Sequence, residues 1–328
     1  LYKFEHACTY SKPAVCFANR PMLPLCGDNR NMTTNIHKYN GSGSWMNVPV
    51  RQMLHLHGSD VICDDGDDIP GVWHAQNGQD RRVVHILGKR RGFFVDLAAN
   101  KPVTLSNTRA LERDFGWRGL CIEGHIGLLP ELAMRRSCSV IEAMVSAETD
   151  QEVTFRRFVG KWKQTELHAM SGIVGKGMGN GINKTCWGKG AAESTGWPCI
   201  KIDKYSAFKH DEGLTTTLAS ILDYMQAPRT IDYLSLDVEG AEQAVLKQFP
   251  FHRYDFRLIS IERPSFELAT LMMKNFYRYV CDNGSFGDEL WVHERELASL
   301  PKDLAALHKP RSTHPRCPPM IMHTRPSV

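Results

Sequence analysis

The sequence predicts an α/β protein: a mostly parallel sheet with helices on both faces, closed by an antiparallel hairpin. Three observations carry this. Short apolar runs bounded by turn residues recur at 92–97, 119–123, 139–145, 231–238 and 258–262, as strands of a sheet buried on both faces do. Segments with helical spacing stand between several of them, and strands alternating with helices imply a parallel sheet. Two last runs, 276–281 and 289–293, are joined through Asp282-Asn283-Gly284, a hairpin signal.

In order along the chain, residues 1–75 read as an irregular N-terminal extension. It holds Cys8, Cys16 and Cys26, several Pro and Gly, and an acidic cluster from Cys63 to Asp68. The cluster lacks the spaced ligands and terminal Glu of an EF-hand loop, so it reads as a solvated loop. His55 and His57 alternate across Leu56 and could share a strand face, but no further ligand stands at a recognisable spacing. Residues 79–88 predict a short amphipathic helix. Asp80 lies in its first turn and Lys89, Arg90 and Arg91 follow its end, as the helix dipole prefers. The strand over 92–97 comes next, then a helix over 102–114 with Pro102 tolerated in its first turn. Residues 160–200 are glycine-rich and weakly patterned. The GKGMGNG stretch from Gly175 to Gly181 has no G-K-[ST] to close a P-loop, and reads as a flexible loop that could cover an acceptor. Further helices are predicted over 214–225 and 241–248. The core domain spans 76–297, and the Pro-, Arg- and His-rich tail over 298–328 reads as disordered or loosely attached.

The chain has 328 residues, 42% hydrophobic and 23% charged, with a net charge of +4, which fits one globular domain with extra ends. So small a charge does not argue for a nucleic-acid or anionic-membrane partner. No apolar run reaches the roughly 18 residues of a membrane span. Because the chain starts at Leu1 rather than Met, a preceding signal or anchor is an open expectation. The 10 cysteines form no C-x-x-C pair, against a zinc ribbon or a redox dithiol. N-glycan acceptor patterns stand at Asn31, Asn40, Asn183 and Asn283. With the cysteines they tilt the expected location toward the secretory pathway or Golgi lumen and away from the cytoplasm.

Open α/β sheets bind ligands at the carboxyl ends of their strands. Asp96, Glu123 and Asp237 fall at such ends on the first, second and fourth predicted strands. A carboxylate there can accept both ribose hydroxyls of a nucleoside. Any one such acid could equally be a helix cap or a loop residue; three in register favour a nucleoside site. After the first strand stands Asp96-Leu97-Ala98-Ala99-Asn100-Lys101-Pro102, without the G-x-G-x-x-G of a pyrophosphate turn. This weakens a nicotinamide dinucleotide and leaves room for S-adenosylmethionine, which has no phosphate.

FFVDLAAN, SNTRALE, GWRGLCIE, IDYLSLDVEGAE and ISIERP, followed by DNGSFGDELWVH, occur in this order between Gln79 and His293. Together they resemble the successive blocks of FkbM-type methyltransferases, in a D-L-A-A-N form of the first loop. The resemblance implies a class I methyltransferase (Rossmann-like) fold with a seven-stranded sheet, S-adenosyl-L-methionine as methyl donor, and O-methylation of a sugar or other small acceptor. It implies that Asp96, Leu97, Ala98 and Asn100 surround the methionine part, that Glu123 holds the ribose, and that Glu142 and Ala143 lie near the adenine. Asp237, Glu239 and Gly240 would face the methyl group and the acceptor. The chain departs from the common form where Ala98 and Pro102 replace glycines and Lys101 an acid, and where Gly124-His125-Ile126-Gly127 replaces P-N-P and an aromatic residue. A left-handed backbone at Ala98 would cost on the order of 1–2 kcal/mol.

Methyl transfer needs alignment of the acceptor, and an alcohol is helped by a base. Asp237 or Glu239 is the candidate base; alternatively Asp237 meets the donor's ammonium and Glu239 caps the following helix. His293 is a further candidate base, with an ordinary strand-end role as the alternative. Glu262 ends the fifth strand and could line the acceptor side, with a salt bridge to Arg263 or a neighbouring base as the alternative. The rival function is a binding or scaffold protein that kept this fold and lost catalysis.

Overall fold

The structure, a computed structural model, describes residues 68–158, 171–174, 208–284, 287–306, 311–313 and 315–318, with the strands at 35–39, 51–56, 184–186 and 199–201. The chain runs β1 (Asn35–Tyr39), β2 (Arg51–Leu56), α1 (Gln79–Leu87), β3 (Phe93–Leu97), α2 (Arg109–Phe115), β4 (Arg118–Glu123), α3 (Leu129–Arg135) and β5 (Ser139–Glu142). Short strands follow: β6 (Met144–Val145), β7 (Glu152–Phe158), β8 (Gly172–Val174), β9 (Lys184–Cys186), β10 (Cys199–Lys201) and β11 (Phe208–Thr216). The second half alternates again, with α4 (Leu218–Tyr224), β12 (Thr230–Leu236), α5 (Glu242–Lys247), β13 (Asp255–Ile261), α6 (Phe266–Lys274), β14 (Tyr277–Asp282), β15 (Glu289–His293) and α7 (Lys302–Ala305).

The main sheet has 9 strands in the order β1-β2-β5-β4-β3-β12-β13-β15-β14. From β5 to β13 neighbours are parallel; β15 joins antiparallel to β13, and β14 antiparallel to β15. The expected parallel sheet and closing hairpin are present. The count differs from the expected seven because the N-terminal extension is not wholly irregular: β1 and β2 pair as a hairpin, and β2 adds antiparallel to β5.

Alternation along the strands divides the core between the two faces. Val95, Leu97, Leu120, Ile122, Leu234, Leu236, Ile259 and Ile261 pack with Leu218, Ile221, Val245, Leu246, Leu268 and Met272 of α4, α5 and α6. Phe94, Cys121, Tyr233 and Leu258 face the other way, onto Val83 and Ile86 of α1, Leu111 of α2, Leu132 of α3 and Leu304 of α7. Each such aliphatic side chain removed from water contributes about 1.5–3 kcal/mol. Helices therefore lie on both faces, as in a Rossmann-like methyltransferase fold.

The helices begin where their caps allow. α1 is bounded by Gly78 and Gly88, both in left-handed conformation, and Asp80 accepts the amides of His74, Ala75 and Arg81. Thr217 caps α4 and Ser265 caps α6, each accepting the amide three residues on. The helix expected over 102–114 starts only at Arg109. The Val103–Ser106 turn and the positive φ of Leu105 break the preceding segment. The helix expected over 214–225 starts at Leu218, because the residues before Thr217 are drawn into β11.

The expected third strand over 139–145 stops at Glu142. The chain then crosses to a 4-stranded sheet, β6-β11-β7-β8, that the sequence did not announce. GKGMGNG, His57 and residues 63–67 lie outside the described residues. Asp68, expected in a solvated loop, is buried on Arg109 and Arg113.

The tail also departs from expectation. Cys317 is disulfide-bonded to Cys281, its amide donates to the Asp282 carbonyl (2.9 Å), and Arg311 pairs with Glu289 (2.8 Å). Up to Pro318 it is therefore docked where described. A second disulfide joins Cys121 of β4 to Cys138. Asn283 is only 1% exposed, so it cannot take a glycan in the folded protein.

Candidate functional site

Parallel pairing lines up the strand tips. Glu123 stands in register with Glu142, Leu97 with Ile122, Leu236 with Leu97, and Ile261 with Leu236. One step on, Glu123, Ala98, Asp237 and Glu262 follow one another across β4, β3, β12 and β13. Beside this row lies a partly open cleft. Leu97, Ala98, Ile122, Glu123, Gly124 and Ala143 line its floor, Val238 and Ala241 one end, and Phe155 and Ile173 of the small sheet its roof. Gly124 lets the roof close, since a Cβ there would stand 2.7 Å from the Phe155 ring.

Glu123 is buried and anchored by backbone amides. Its Oε2 accepts the Asn100 amide (2.7 Å) and its Oε1 the His125 amide (2.7 Å). Burial pushes its carboxyl up to about 7, with a further push from Asp96, against the amides of His125, Asn100 and Gly124. The first loop is held over it: the amides of Ala98 and Ala99 donate to the Ile122 carbonyl. Ala98 and Asn100 both have positive φ, 65° and 52°. The left-handed turn that glycine usually supplies is thus formed here with a side chain in place. Asn100 Oδ1 is buried with no hydrogen-bond partner.

Asp96 is not in the cleft. It precedes the tip by one residue, so it points to the Phe94 face, where Thr108 donates to its Oδ2 (2.5 Å). Arg136 donates to Thr108 (2.7 Å) and to Glu112 (2.5 Å), and Arg109 to Asp68 (2.7 Å). Burial raises the Asp96 carboxyl against the pull of Arg136 and Thr108. Its place is in the support beneath the first loop. Glu142 is in register with Glu123 but is not among the lining residues, whereas its neighbour Ala143 is.

The tips of β12 and β13 gather a different group. Asp237, Glu239 and Glu262 each offer a carboxylate oxygen, all within 4.8 Å of one another. Arg263 pairs with Glu262 and, at 3.1 Å, with Glu239. Glu242 accepts the Val238 and Gly240 amides, which holds the turn before α5; the N-cap of α5 is Ala241 with no side-chain cap, so Glu239 does not supply the cap expected of it. Asp288 joins from the start of β15, held by Asn77 and Gln79 at 2.8 Å each. Burial, then the charge of Glu262, raises the carboxyls of Asp237 and Glu239 well above the usual range, with Arg263 opposing at Glu239. The same causes push Glu242 and Asp288 up to about 7. The chain turns back sharply here, with positive φ at Glu239 (55°) and Arg263 (41°).

His293 is at the wrong end of the sheet to serve as a base. β15 runs antiparallel to β13, pairing Glu289 with Ile261 and Val292 with Leu258. His293 therefore emerges at the opposite edge, where its Nδ1 accepts the Arg295 amide and its ring meets Tyr277.

Several residues were missed by sequence reasoning. Phe155, Glu242, Asp288 and Asn107, whose amide donates to Ser235 (2.9 Å), carry no separate pattern. The SNTRALE, IDYLSLDVEGAE and DNGSFGDELWVH blocks contained Asn107, Glu242 and Asp288 without marking their roles.

The donor set fits a nucleoside cofactor. An amide-anchored carboxylate stands in an apolar cleft, and Asn100, whose backbone amide holds that carboxylate, keeps a buried side-chain oxygen without a hydrogen-bond partner. Searches of curated proteins and of solved structures found no match. The Methyltransferase FkbM domain matches residues 96–280, more than half of the 328 residues and the whole row of tips just described. The chain belongs to the FkbM methyltransferase family.

Proposed function

We propose that this methyltransferase takes its methyl group from S-adenosylmethionine and delivers it to a hydroxyl of a sugar or other small acceptor. The observation that carries this is the row of strand tips, with Glu123 anchored by backbone amides in an apolar cleft and the carboxylates of Asp237, Glu239 and Glu262 gathered at the tips of the neighbouring strands. When bound, S-adenosylmethionine supplies an electrophilic methyl on a sulfonium. Glu123 retains lone pairs beyond its two amide bonds and would accept ribose hydroxyls. Ile122, Ala143 and Phe155 would enclose the base and exclude water, and Asn100 Oδ1 would take a donor group of the methionine part. Asp237 and Glu239 stand beyond Ala98 on the neighbouring strand. Their raised proton affinity suits groups that take or steer the acceptor's hydroxyl proton. Two disulfides in the described residues support a location in an oxidising compartment such as the secretory pathway.

Titration calorimetry with S-adenosylhomocysteine tests the donor site. Saturable binding is expected, weakened about 10–100-fold in Glu123→Gln through two lost charge-assisted hydrogen bonds. Transfer of labelled methyl to a panel of mono- and oligosaccharides tests the acceptor. No binding at millimolar ligand would favour the scaffold reading, and binding with transfer only to nitrogen acceptors would overturn O-methylation.

A further inference from the structure

The carboxylates at the tips of β12 and β13 are too many for the cations beside them. Asp237, Glu239, Glu242, Glu262 and Asp288 converge there, while Arg263 pairs with Glu239 and Glu262 and the charge of Arg156 reaches Glu239. Like charges this close repel by several kcal/mol at the effective dielectric of a protein edge. Glu242 and Asp288 are occupied by backbone amides and side-chain amides respectively. Glu262 is different. It is 9% exposed, Arg263 engages its Oε1, and its Oε2 is buried with no hydrogen-bond partner. Glu262 also belongs to the group of three carboxylates, each with an oxygen within 4.8 Å of the others, a span that one ion can bridge.

We propose that Asp237, Glu239 and Glu262 hold a divalent cation at the tips of β12 and β13, next to Val238 and Ala241 of the cleft wall. An all-carboxylate set selects a hard ion such as Mg²⁺, Mn²⁺ or Ca²⁺. Three protein ligands leave coordination positions open, and an acceptor hydroxyl, or two neighbouring hydroxyls of a sugar, would fill them. Bound to the ion, a hydroxyl loses its proton more readily and is fixed in direction. The role of the ion, though not its binding, rests on the methyl-transfer reading above.

The test is Mn²⁺ titration of the chelator-treated full chain, followed by the paramagnetic resonance of free Mn²⁺, with melting curves in Mg²⁺ and Ca²⁺. One saturable Mn²⁺ per chain is expected, with a rise in melting temperature. Glu262→Gln and Asp237→Asn, each nearly isosteric and relieving a like charge, should fold and should weaken Mn²⁺ by at least about tenfold. Glu123→Gln, in the donor cleft, should bind Mn²⁺ as the wild type does. Absence of saturable Mn²⁺ below the millimolar range overturns the proposal, as does wild-type affinity in both carboxylate variants. S-adenosylhomocysteine binding, measured separately, keeps the two readings apart. Its loss with Mn²⁺ retained removes the donor site alone; its retention with Mn²⁺ lost removes only the cation.

Discussion

Two buried ionic groups lie under the same row of strand tips, and they are built on opposite principles. Beneath α2, the carboxylates of Asp68, Asp96, Glu112 and Asp114 meet the guanidiniums of Arg109, Arg113 and Arg136, so that each carboxylate has a cation beside it. At the tips of β12 and β13, five carboxylates converge around Arg263. A matched group is complete in the folded chain alone, so its work is to hold parts together: the 68–75 segment, the turn before α2 and the start of β5. An unmatched group is stable only with protons or a bound partner, and such groups are where ligands are handled.

The sharpest way to break the matched group is Arg136→Met. Arg136 is fully buried, and its loss leaves Glu112 and Asp96 without their main counter-charge. Breaking one member of a buried pair costs about 3–5 kcal/mol. A urea midpoint shifted to match, with unchanged slope, is expected. A loss under about 1 kcal/mol would show that this group does not hold the loop.

The unmatched group should respond in the reverse sense. Glu239→Gln removes a like charge, so stability should stay level or rise. Turnover should fall by about 10²–10³-fold, the usual contribution of a positioned acid–base group. Steady-state kinetics beside a melting curve reads both. Unchanged turnover discards the catalytic part, and a collapse in stability assigns Glu239 to the scaffold.

Much of this architecture was legible because parallel strands buried on both faces announce themselves. Phe93 to Leu97 and Ile231 to Leu236 are nearly continuous apolar runs, and an acid ending such a run, as Glu123 does, stands out. Asp96 stands one residue before the strand tip. Side chains alternate along a strand, so the residue before the tip faces α2 and not the cleft. His293 failed for a related reason, since an apolar run carries no direction and β15 runs backwards. β7 and β11 were hidden by charge. EVTFRRF and FKHDEGLTT form a ribbon with polar residues on both faces, which resembles a loop. The docking of the tail depends on Cys281 meeting Cys317, and pairing among ten cysteines cannot be deduced from spacing. Asp288 becomes part of the site through Gln79, 209 residues away, a contact that only the fold creates.

Glu123 lies between the two groups and titrates near neutrality, so pH can separate it from both. Its folded carboxyl is raised from 4.5 to about 7. The free folded protein therefore holds a proton that the unfolded chain has already released, and this contribution to stability declines as pH rises from about 4.5 to about 7. Ligand binding has the opposite sign, because the ionised form accepts hydroxyls best. Affinity for S-adenosylhomocysteine should weaken by about tenfold for each pH unit below 7, and Glu123→Gln should flatten that slope. An unchanged slope in the variant would move the titration to another group.

The smallest expected effect concerns Ala98, where φ is 65°. A left-handed residue with a Cβ carries roughly 1 kcal/mol of strain or more, and Ala98→Gly removes it. The gain is partly offset, because glycine adds freedom to the unfolded chain worth about 0.4–1 kcal/mol. Net stability should thus change by under about 1 kcal/mol, toward the more stable side. The loop would also become freer to leave the Ile122 carbonyl, which both the Ala98 and Ala99 amides now hold. S-adenosylhomocysteine affinity separates these consequences. If it holds or improves while melting temperature rises slightly, the alanine is merely tolerated strain. If it falls although stability rises, the methyl group of Ala98, which lines the cleft, is itself part of the donor's wall, and the loss of the usual glycine is a feature of this site.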